Sequence, residues 1–392
     1  MSGKKLLILL LTGLAVLTGL LFYFKGADAW QFWNIPALEP AFADARILTA
    51  SSESYALGYD PEINNPRDPL DRPFNLPLIW RLIFLTGINQ SFTAALAGFF
   101  IACFFLALIL FPARLSLPAA ISLALTAFSP PVMLAIERGN VDLFVFFICA
   151  LALVTMERKW VLSSVLIGFA VLLKIYPLFG LSSFLGMERS RFYKFAAAMT
   201  IAFLIYAALT FNNFRHIFSN TEKGFTVSYG AAVLPLFIGQ LTQSRILMAA
   251  AVVSAYLLAF LILAACLYFV DRCNELLPVE ETASLAAFRL GAGIYLGTFL
   301  LGNNWDYRLI FLLFALPQLV EWARHSRMAG YTLSAVLLSF AYFWFRNISP
   351  AYFLDELANW FVFTGLIYLF LSSAPDWIKT EIHAFFRKMA FR

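Results

Sequence analysis

The chain has 392 residues, of which 61% are hydrophobic and 13% are charged, and its mean hydropathy is +0.79. Soluble globular domains carry about 25% charged residues, so this composition excludes a soluble globular protein and indicates an integral membrane protein. The formal net charge of +5 does not indicate a nucleic-acid partner. The Lys and Arg residues lie mostly in short loops between apolar runs, as the positive-inside rule describes.

The first apolar run follows Lys4 and Lys5 and extends from Leu6 to Phe24. The hydrophobic region of a secretory signal is about 7–15 residues long, and this run is longer. We therefore expect an uncleaved first helix with a cytoplasmic N-terminus.

The later apolar runs predict an all-α, polytopic bundle of about twelve crossings or part-crossings, since a full crossing needs about 20 residues. They lie near 92–111, 115–136, 141–156, 160–173, 176–187, 195–211, 246–270, 290–301, 309–322, 329–345 and 357–373. With this count the basic loops fall on one side, which makes both termini cytoplasmic. We expect one membrane domain over residues 1–392, with a long first extracytoplasmic loop, residues 25–91, that holds a polar substrate.

Within that loop, residues 44–90 are rich in Asp, Arg, Asn, Tyr and Pro. Long loops without regular structure are usually functional or disordered, and the aromatic and proline content argues against disorder. We expect this stretch to be ordered and extracytoplasmic, so that a cysteine replacing Ser52 would react with an impermeant reagent. Asp44 is either a helix N-cap, with Arg46 as its ion-pair partner, or a group that acts on substrate.

A second polar cluster separates two apolar spans and contains Glu137, Arg138, Asn140 and Asp142. One interpretation is a hairpin in which Glu137 and Arg138 pair with each other. Because Gly and Asn alone are enough for a turn, this density of charges and donors favours a functional site.

Lys174 interrupts another apolar stretch and is followed by Tyr176 and Pro177. A Lys near the centre of a membrane helix costs about 2.5–3.5 kcal/mol on insertion scales. Either its side chain extends to the interface, or the helix is broken there. Since Pro disfavours a helical residue before it, we predict two short helices over residues 160–187, with Lys174 at the break as a point charge suited to a lipid phosphate.

A third polar cluster, with Asp306 and Arg308, lies between Leu301 and Leu309. The two residues form either an ion pair that stabilises a turn, or an anion site in which Arg308 is the ligand.

This pattern resembles the GT-C superfamily of membrane glycosyltransferases, specifically its polyprenol-phosphate-sugar-dependent mannosyltransferase-like branch. The matching parts are the acid after the first helix (Asp44), a Gly-Tyr-Asp-Pro segment that ends at Pro61, Asn140 with Asp142, and the Lys-Ile-Tyr-Pro segment that begins at Lys174. The hydropathy of nearly the whole chain is similar to that of the family.

The resemblance implies a glycosyltransferase of the bacterial inner membrane and cell envelope, a hexosyltransferase whose site lies at the extracytoplasmic face. It would move a mannose-like hexose from a polyprenyl-phosphate sugar to a glycan or glycolipid acceptor, with inversion and with Asp44 as general base. The substrate-binding residues that we expect are Arg46, Tyr55, Asp60, Glu137, Arg138, Asn140, Asp142, Lys174, Tyr176, Asp306 and Arg308.

In this assignment Lys174, Arg138 and Arg308 face the donor phosphate, and the acids, Asn and Tyr orient sugar hydroxyls. No cofactor is expected, because Lys and Arg can neutralise a phosphodiester. A metal ion held by Asp142 or Asp60 is the alternative.

Two other classes fit parts of the pattern. A secondary transporter of a polar or anionic solute also uses intramembrane charges and broken helices. Carriers usually have repeated halves, however, and the sequence has one clear break, at Lys174, without a counterpart. A polymerase or ligase of lipid-linked glycans also binds lipid phosphate through Arg and Lys, but more often carries its main charges in a later loop.

Overall fold

A computed structural model describes residues 1–111, 114–272, 277, 280–348 and 351–390. These residues are almost entirely helical, which confirms the predicted all-α class. The α-helices are α1 (Gly3–Lys25), α2 (Ala43–Ala56), α3 (Thr93–Leu110), α4 (Leu117–Ala127), α5 (Pro130–Arg138), α6 (Asp142–Met156), α7 (Trp160–Leu173), α8 (Arg189–Leu209), α9 (Phe211–Asn220), α10 (Val233–Thr242), α11 (Arg245–Arg272), α12 (Ala283–Leu301), α13 (Leu316–Trp322), α14 (Arg327–Ala341), α15 (Ala351–Ser372) and α16 (Asp376–Ala390).

Shorter elements connect these helices. The 3-10 helices are Gly26–Trp33, Leu78–Thr86, Gln90–Phe92, Tyr176–Gly186, Asp306–Phe314 and Tyr342–Phe345. Two short strands, β1 (Ser228–Tyr229) and β2 (Asn304–Trp305), pair antiparallel.

Seven helical segments of the described chain are long and apolar enough to cross a membrane, so the protein is multi-pass. They are Gly3–Trp33, Gln90–Leu110, Arg189–Leu209, Arg245–Val270, Ala283–Leu301, Arg327–Phe345 and Ala351–Ser372. Helices α4 and α5 together form an eighth candidate, bent by 46°, and α6, α7 and α10 are shorter apolar helices. The full crossings are therefore fewer than the predicted crossings and part-crossings, because several predicted spans are short or broken helices.

Helices α12 and α15 lie at the centre of the bundle. In their most apolar windows 67% and 61% of the residues are buried, whereas the corresponding share is 6% in α8 and in α11. The exposed Leu, Ile and Phe side chains of α8 and α11 are as apolar as lipid tails. These two helices therefore form the outer, lipid-facing part of the bundle.

The predicted break at Lys174 is confirmed. Helix α7 ends at Leu173, Lys174 is extended with φ −152° and ψ 140°, and the chain continues as the 3-10 helix Tyr176–Gly186. Pro177 lies in the first turn of that helix, where a missing N–H has no cost because the first turn lacks intrahelical acceptors. The break places the Lys174 side chain at the junction of two short apolar segments.

The first loop folds around Asn65 and contains a helix, α2, that was not predicted. Asn65 Oδ1 accepts a hydrogen bond from the Ser54 hydroxyl at 2.7 Å, and Asn65 Nδ2 donates to Ser51 Oγ at 3.1 Å and to the Arg72 carbonyl at 3.0 Å. These bonds confirm that the loop is ordered. Ser52 is buried, so the expectation that this position is accessible was wrong.

The end of α5 packs closely against α2 and α3. Gly139, which follows α5, has φ +57°, and a Cβ atom there would lie 2.8 Å from Ala97 Cβ and 3.1 Å from Ala45 Cβ. Glycine with a left-handed backbone conformation is common at the C-terminal end of an α-helix. The close contact brings the residue after it, Asn140, to the start of α2.

The short β-pair positions the segment that carries Arg308. Ser228 pairs with Trp305 and Tyr229 with Asn304, and the Asp306 amide donates to the Val227 carbonyl at 3.0 Å. The end of α12 is thereby tied to the chain before α10, and the following 3-10 helix starts at a fixed place.

Candidate active site

A cavity of about 1080 Å³ lies where the first loop, the end of α5, the break after α7 and the start of the 3-10 helix Asp306–Phe314 meet. Half of the residues predicted for the site line it. They are Asp44, Arg138, Asn140, Lys174, Tyr176 and Arg308. The structure thus brings together four separate parts of the sequence.

Asp44 lies in the first turn of α2, where a carboxylate is favourable because of the helix dipole. Its Oδ2 accepts a hydrogen bond from Asn140 Nδ2 at 2.5 Å, and its Oδ1 lies 3.4 Å from Arg72 Nη1. The partner is therefore Arg72 and not Arg46, and the N-cap of α2 is Phe42. The Asp44 side chain is 26% exposed, so it is accessible from the cavity.

Asn140 connects Asp44 to α6. Its Oδ1 accepts the backbone N–H of Asp142 at 2.8 Å, while its Nδ2 donates to Asp44. An amide has one acceptor end and one donor end, so the bond to α6 fixes which end faces Asp44. Asn140 therefore holds the Asp44 carboxylate in one orientation.

Asp142 lies between two cations. Its Oδ1 is 3.7 Å from Lys174 Nζ, its Oδ2 is 3.5 Å from Arg308 Nε, and its side chain is fully buried. Lys174 and Arg308 line the cavity, whereas Asp142 lies behind them and does not. The predicted sugar ligand Asp142 thus contacts the two basic side chains that face the cavity.

Arg308 has two further contacts. Its Nη1 donates to Asn304 Oδ1 at 2.5 Å, and its guanidinium lies 5.0 Å from the centre of the Tyr176 ring. A planar cation over an aromatic face is attracted by the ring quadrupole. Asp142, Asn304 and Tyr176 together fix Arg308, and the predicted Asp306–Arg308 ion pair is not formed among the described residues.

The charge of Lys174 depends on its neighbours. Burial lowers the pKa of the Lys174 ammonium, and the Asp142 carboxylate beside it opposes that decrease. Desolvation disfavours the charged form of a buried amine, and an opposite charge nearby favours it.

Glu137 and Arg138 form the ion pair expected of a hairpin. Glu137 also accepts the Leu38 backbone N–H at 2.8 Å, and Arg138 donates to the Pro36 carbonyl at 2.9 Å. Both residues therefore tie α5 to the chain that precedes α2. Arg138 still lines the cavity, whereas Glu137 is buried beneath it.

Four other predicted residues do not line the cavity. Arg46 donates to Gln90 and to the Ala41 carbonyl, and Tyr55 stacks on Phe84. Asp60 is exposed and accepts the backbone N–H of Glu62. Asp306 is buried and does not line the cavity.

Arg72 is a cavity residue that sequence reasoning did not single out. Besides its contact with Asp44, its Nη2 donates to the Ala43 carbonyl at 2.5 Å and its Nε to Asp68 Oδ2 at 3.0 Å. Asp68 and Arg72 lie in a non-helical segment, where a spacing of four residues does not indicate a pair, so no sequence signal singled out Arg72. Arg72 thus joins the Pro-rich part of the first loop to the start of α2.

One wall of the cavity is apolar and is formed mainly by α8, α9 and the helix after Lys174. Its side chains are Leu178, Phe179, Phe203, Ala207, Phe214, Ile217, Phe218 and Leu301. The α9 members follow a helical i, i+3, i+4 spacing, which puts them on one face. Polar and apolar walls in one cavity suit a ligand that has a charged group and a hydrocarbon chain.

The fold and this cavity define a multi-pass membrane protein with a carboxylate and two partly buried cations at one site. The profile of glycosyltransferase family 87 matches residues 73–294, which is more than half of the chain. The chain therefore belongs to glycosyltransferase family 87, a GT-C-type membrane glycosyltransferase family. Comparisons with curated proteins and with solved structures gave no match.

Membership of this family implies glycosyltransferase activity and confirms the predicted GT-C resemblance. It favours an enzyme over the transporter that the sequence left open. The matched range includes Asp142 and Lys174, whereas Asp44 and Arg308 lie outside it.

Proposed function

We propose that this glycosyltransferase moves a mannose-like hexose from a polyprenyl-phosphate sugar to a glycan or glycolipid acceptor, at the extracytoplasmic face of the bacterial inner membrane. The observation that carries the proposal is that Asp44, Lys174 and Arg308 line one cavity, which also has an apolar wall. A base, a phosphate site and a hydrocarbon site are what transfer from such a donor requires.

Lys174 and Arg308 bind the donor phosphate in this proposal. When the bond between sugar and phosphate breaks, the departing polyprenyl phosphate gains negative charge, and preorganised cations stabilise that charge most where water is excluded. Both side chains are held in place by Asp142. The apolar wall accommodates the first isoprene units next to the phosphate.

Asp44 acts as the general base. It takes the proton from the acceptor hydroxyl, whose oxygen forms a bond to the anomeric carbon while the bond from that carbon to the phosphate oxygen breaks. The phosphate leaves with the electron pair, and a single displacement inverts the anomeric centre. A positioned base contributes typically ~10²–10⁴-fold, and Asn140 and Arg72 supply the positioning.

Arg138 and Asn140 are the proposed contacts of the sugar hydroxyls, because they line the cavity near these groups. The ring of Tyr176 forms part of the same surface, while its hydroxyl is buried. Asp142 and Glu137 support the site from behind its surface. The two cations make charge neutralisation by a metal ion unnecessary.

The positions of the basic residues support the proposed orientation of the protein in the membrane. Lys4 and Lys5 before α1 support a cytoplasmic N-terminus, and the basic clusters at both ends of residues 158–191 support an extracytoplasmic position for the Lys174 break. The C-terminus is cytoplasmic by the same bias.

The test uses purified protein in proteoliposomes with a labelled polyprenyl-phosphate hexose and an extract of envelope glycans and glycolipids as acceptor. Asp44→Asn keeps the shape of the side chain, so it should bind the donor lipid normally and lose transfer by ~10²-fold or more. Asp60→Asn removes an exposed carboxylate of the same loop and should transfer at the wild-type rate. Wild-type transfer by Asp44→Asn would refute the assignment of the base.

A further inference from the structure

The buried carboxylate of Asp142 has contacts that a sugar ligand would not have. Both of its oxygens face cations, at 3.7 Å from Lys174 Nζ and 3.5 Å from Arg308 Nε. Neither oxygen accepts a hydrogen bond within the described residues. The side chain is fully buried and does not reach the cavity surface, so Asp142 acts on a ligand through the side chains around it and not by direct contact.

These three side chains set the charge of the proposed phosphate subsite. Two cations and one carboxylate leave one positive charge in excess at the cavity surface. A lipid monophosphate ester of a sugar carries one negative charge, which this excess balances. The corresponding diphosphate carries two, and in a buried site an unbalanced charge is costly.

We propose that Asp142 is a positioning residue that makes the subsite select a single phosphate and disfavour a diphosphate. This inference rests on the proposed function, since it concerns the phosphate of the same donor. Asp142 fixes the two cations from behind and cancels one of their charges, so its removal turns a subsite for one negative charge into a subsite for two.

The local structure makes Asp142 suited to this role. It occupies the first position of α6, where the helix N-terminus stabilises a carboxylate. Its backbone N–H is held by Asn140 Oδ1 at 2.8 Å, the same side chain that orients Asp44. The base and the phosphate subsite are thereby joined through one residue at a fixed distance.

The experiment measures binding of two lipids of equal chain length, a polyprenyl-phosphate hexose and a polyprenyl-diphosphate hexose, to the full-length protein in nanodiscs, because these glycosylated lipids carry the one and two negative charges that the argument compares. The wild type should prefer the monophosphate. Asp142→Asn keeps the volume and removes the charge, and should shift the ratio of the two affinities toward the diphosphate by about tenfold or more, as expected for a unit charge a few ångströms away at an effective dielectric near 20.

A matched control replaces another buried acidic side chain. Asp355 lies in α15 and belongs to no ion pair in the described part of the chain, so Asp355→Asn should leave the affinity ratio unchanged. An unchanged ratio in Asp142→Asn, or an equal change in Asp355→Asn, would overturn the inference.

A second pair of variants decides the matter if Asp142→Asn does not fold, because an unpaired buried cation is destabilising. The single variant Lys174→Gln is compared with a double variant that carries both Lys174→Gln and Asp142→Asn. The two proteins differ only at position 142, and in both of them Arg308 is the single cation of the subsite. The double variant should favour the diphosphate by about tenfold relative to Lys174→Gln, and equal ratios would overturn the inference. If the wild type binds neither lipid, the proposed function itself fails.

Discussion

Lys174 shows how a single residue links local sequence to the site. The pattern of a Lys before Tyr and Pro inside an apolar run predicted the break, and the structure confirms it. Because the break is a local effect of Pro177, it was visible in the sequence. The ion-pair partner of Lys174 was not visible in the sequence. Helices α6 and α7 separate Asp142 from Lys174 along the chain, and only packing brings the two side chains together.

Replacement of Lys174 tests its role as a phosphate ligand. Lys174→Ala should weaken binding of a polyprenyl monophosphate by about tenfold or more, because a charge-assisted contact in a buried site is lost. Lys174→Arg should restore binding only in part, since the guanidinium differs in shape from the ammonium. Lys159→Ala, at the exposed start of α7, is the control, and wild-type binding by Lys174→Ala would contradict the assignment.

The pH dependence of binding tests the electrostatic balance around Lys174. The Lys174 ammonium is charged, and binds phosphate, below its pKa. Burial lowers this pKa and Asp142 raises it. Arg308 lowers it and Asp44 raises it more weakly. In Asp142→Asn the main opposing charge is absent, so the pKa of Lys174 falls further. As the pH increases, monophosphate binding should therefore be lost at a lower pH in the variant than in the wild type. Identical pH profiles would show that Asp142 does not act on Lys174.

At the scale of elements, α2 was the main structure that the sequence did not predict. Its sequence has no apolar stripe, because almost every position from Ala43 to Ser54 is buried among the first loop, α3 and α5. Small polar residues fill that environment, and they resemble a loop when read alone. Asp44, which the sequence singled out, lines the cavity, but its partner Arg72 depends on how the Pro-rich segment returns to α2.

The close packing at the end of α5 gives a test of this arrangement. Gly139→Ala should destabilise the protein, because its left-handed backbone costs a side chain about 1–2 kcal/mol and its Cβ would lie 2.8 Å from that of Ala97. The shift should also displace Asn140 and lower transfer. A lower thermal unfolding temperature of the detergent-solubilised protein would be the readout.

The control for that test is Gly98→Ala in α3. No atom lies within 4 Å of the added Cβ, and Ala is a better helix former than Gly, so this variant should be as stable as the wild type or more so. Equal unfolding temperatures for Gly139→Ala and the wild type would contradict the packing account.

At the scale of the whole molecule, the sidedness of the cavity remains a prediction. The sequence predicted a multi-pass helical bundle and a family that the comparison confirmed. The predicted count of about twelve combined full crossings with part-crossings, because apolar composition does not distinguish a lipid-facing helix from a short one buried in the bundle. The exposure of a single loop residue, such as the buried Ser52, depends on tertiary packing and could not be predicted.

Ile63 is a better position for testing sidedness. It is 82% exposed in the first loop, so a cysteine there, in a background without the native cysteines, should react with an impermeant thiol reagent in intact spheroplasts. Lys159→Cys, before α7, should react only after permeabilisation. The reverse pattern would place the cavity in the cytoplasm and remove the argument for a lipid-phosphate donor.

The central claim is that one cavity holds the donor phosphate at Lys174 and Arg308 and the acceptor hydroxyl at Asp44. A cryo-electron microscopy map of the Asp44→Asn protein with a polyprenyl-phosphate hexose tests it most directly. The account predicts phosphate density between the Lys174 ammonium and the Arg308 guanidinium, the isoprenoid along the apolar wall, and the anomeric carbon facing residue 44. Donor density elsewhere in the protein, or phosphate density away from both cations, would contradict it.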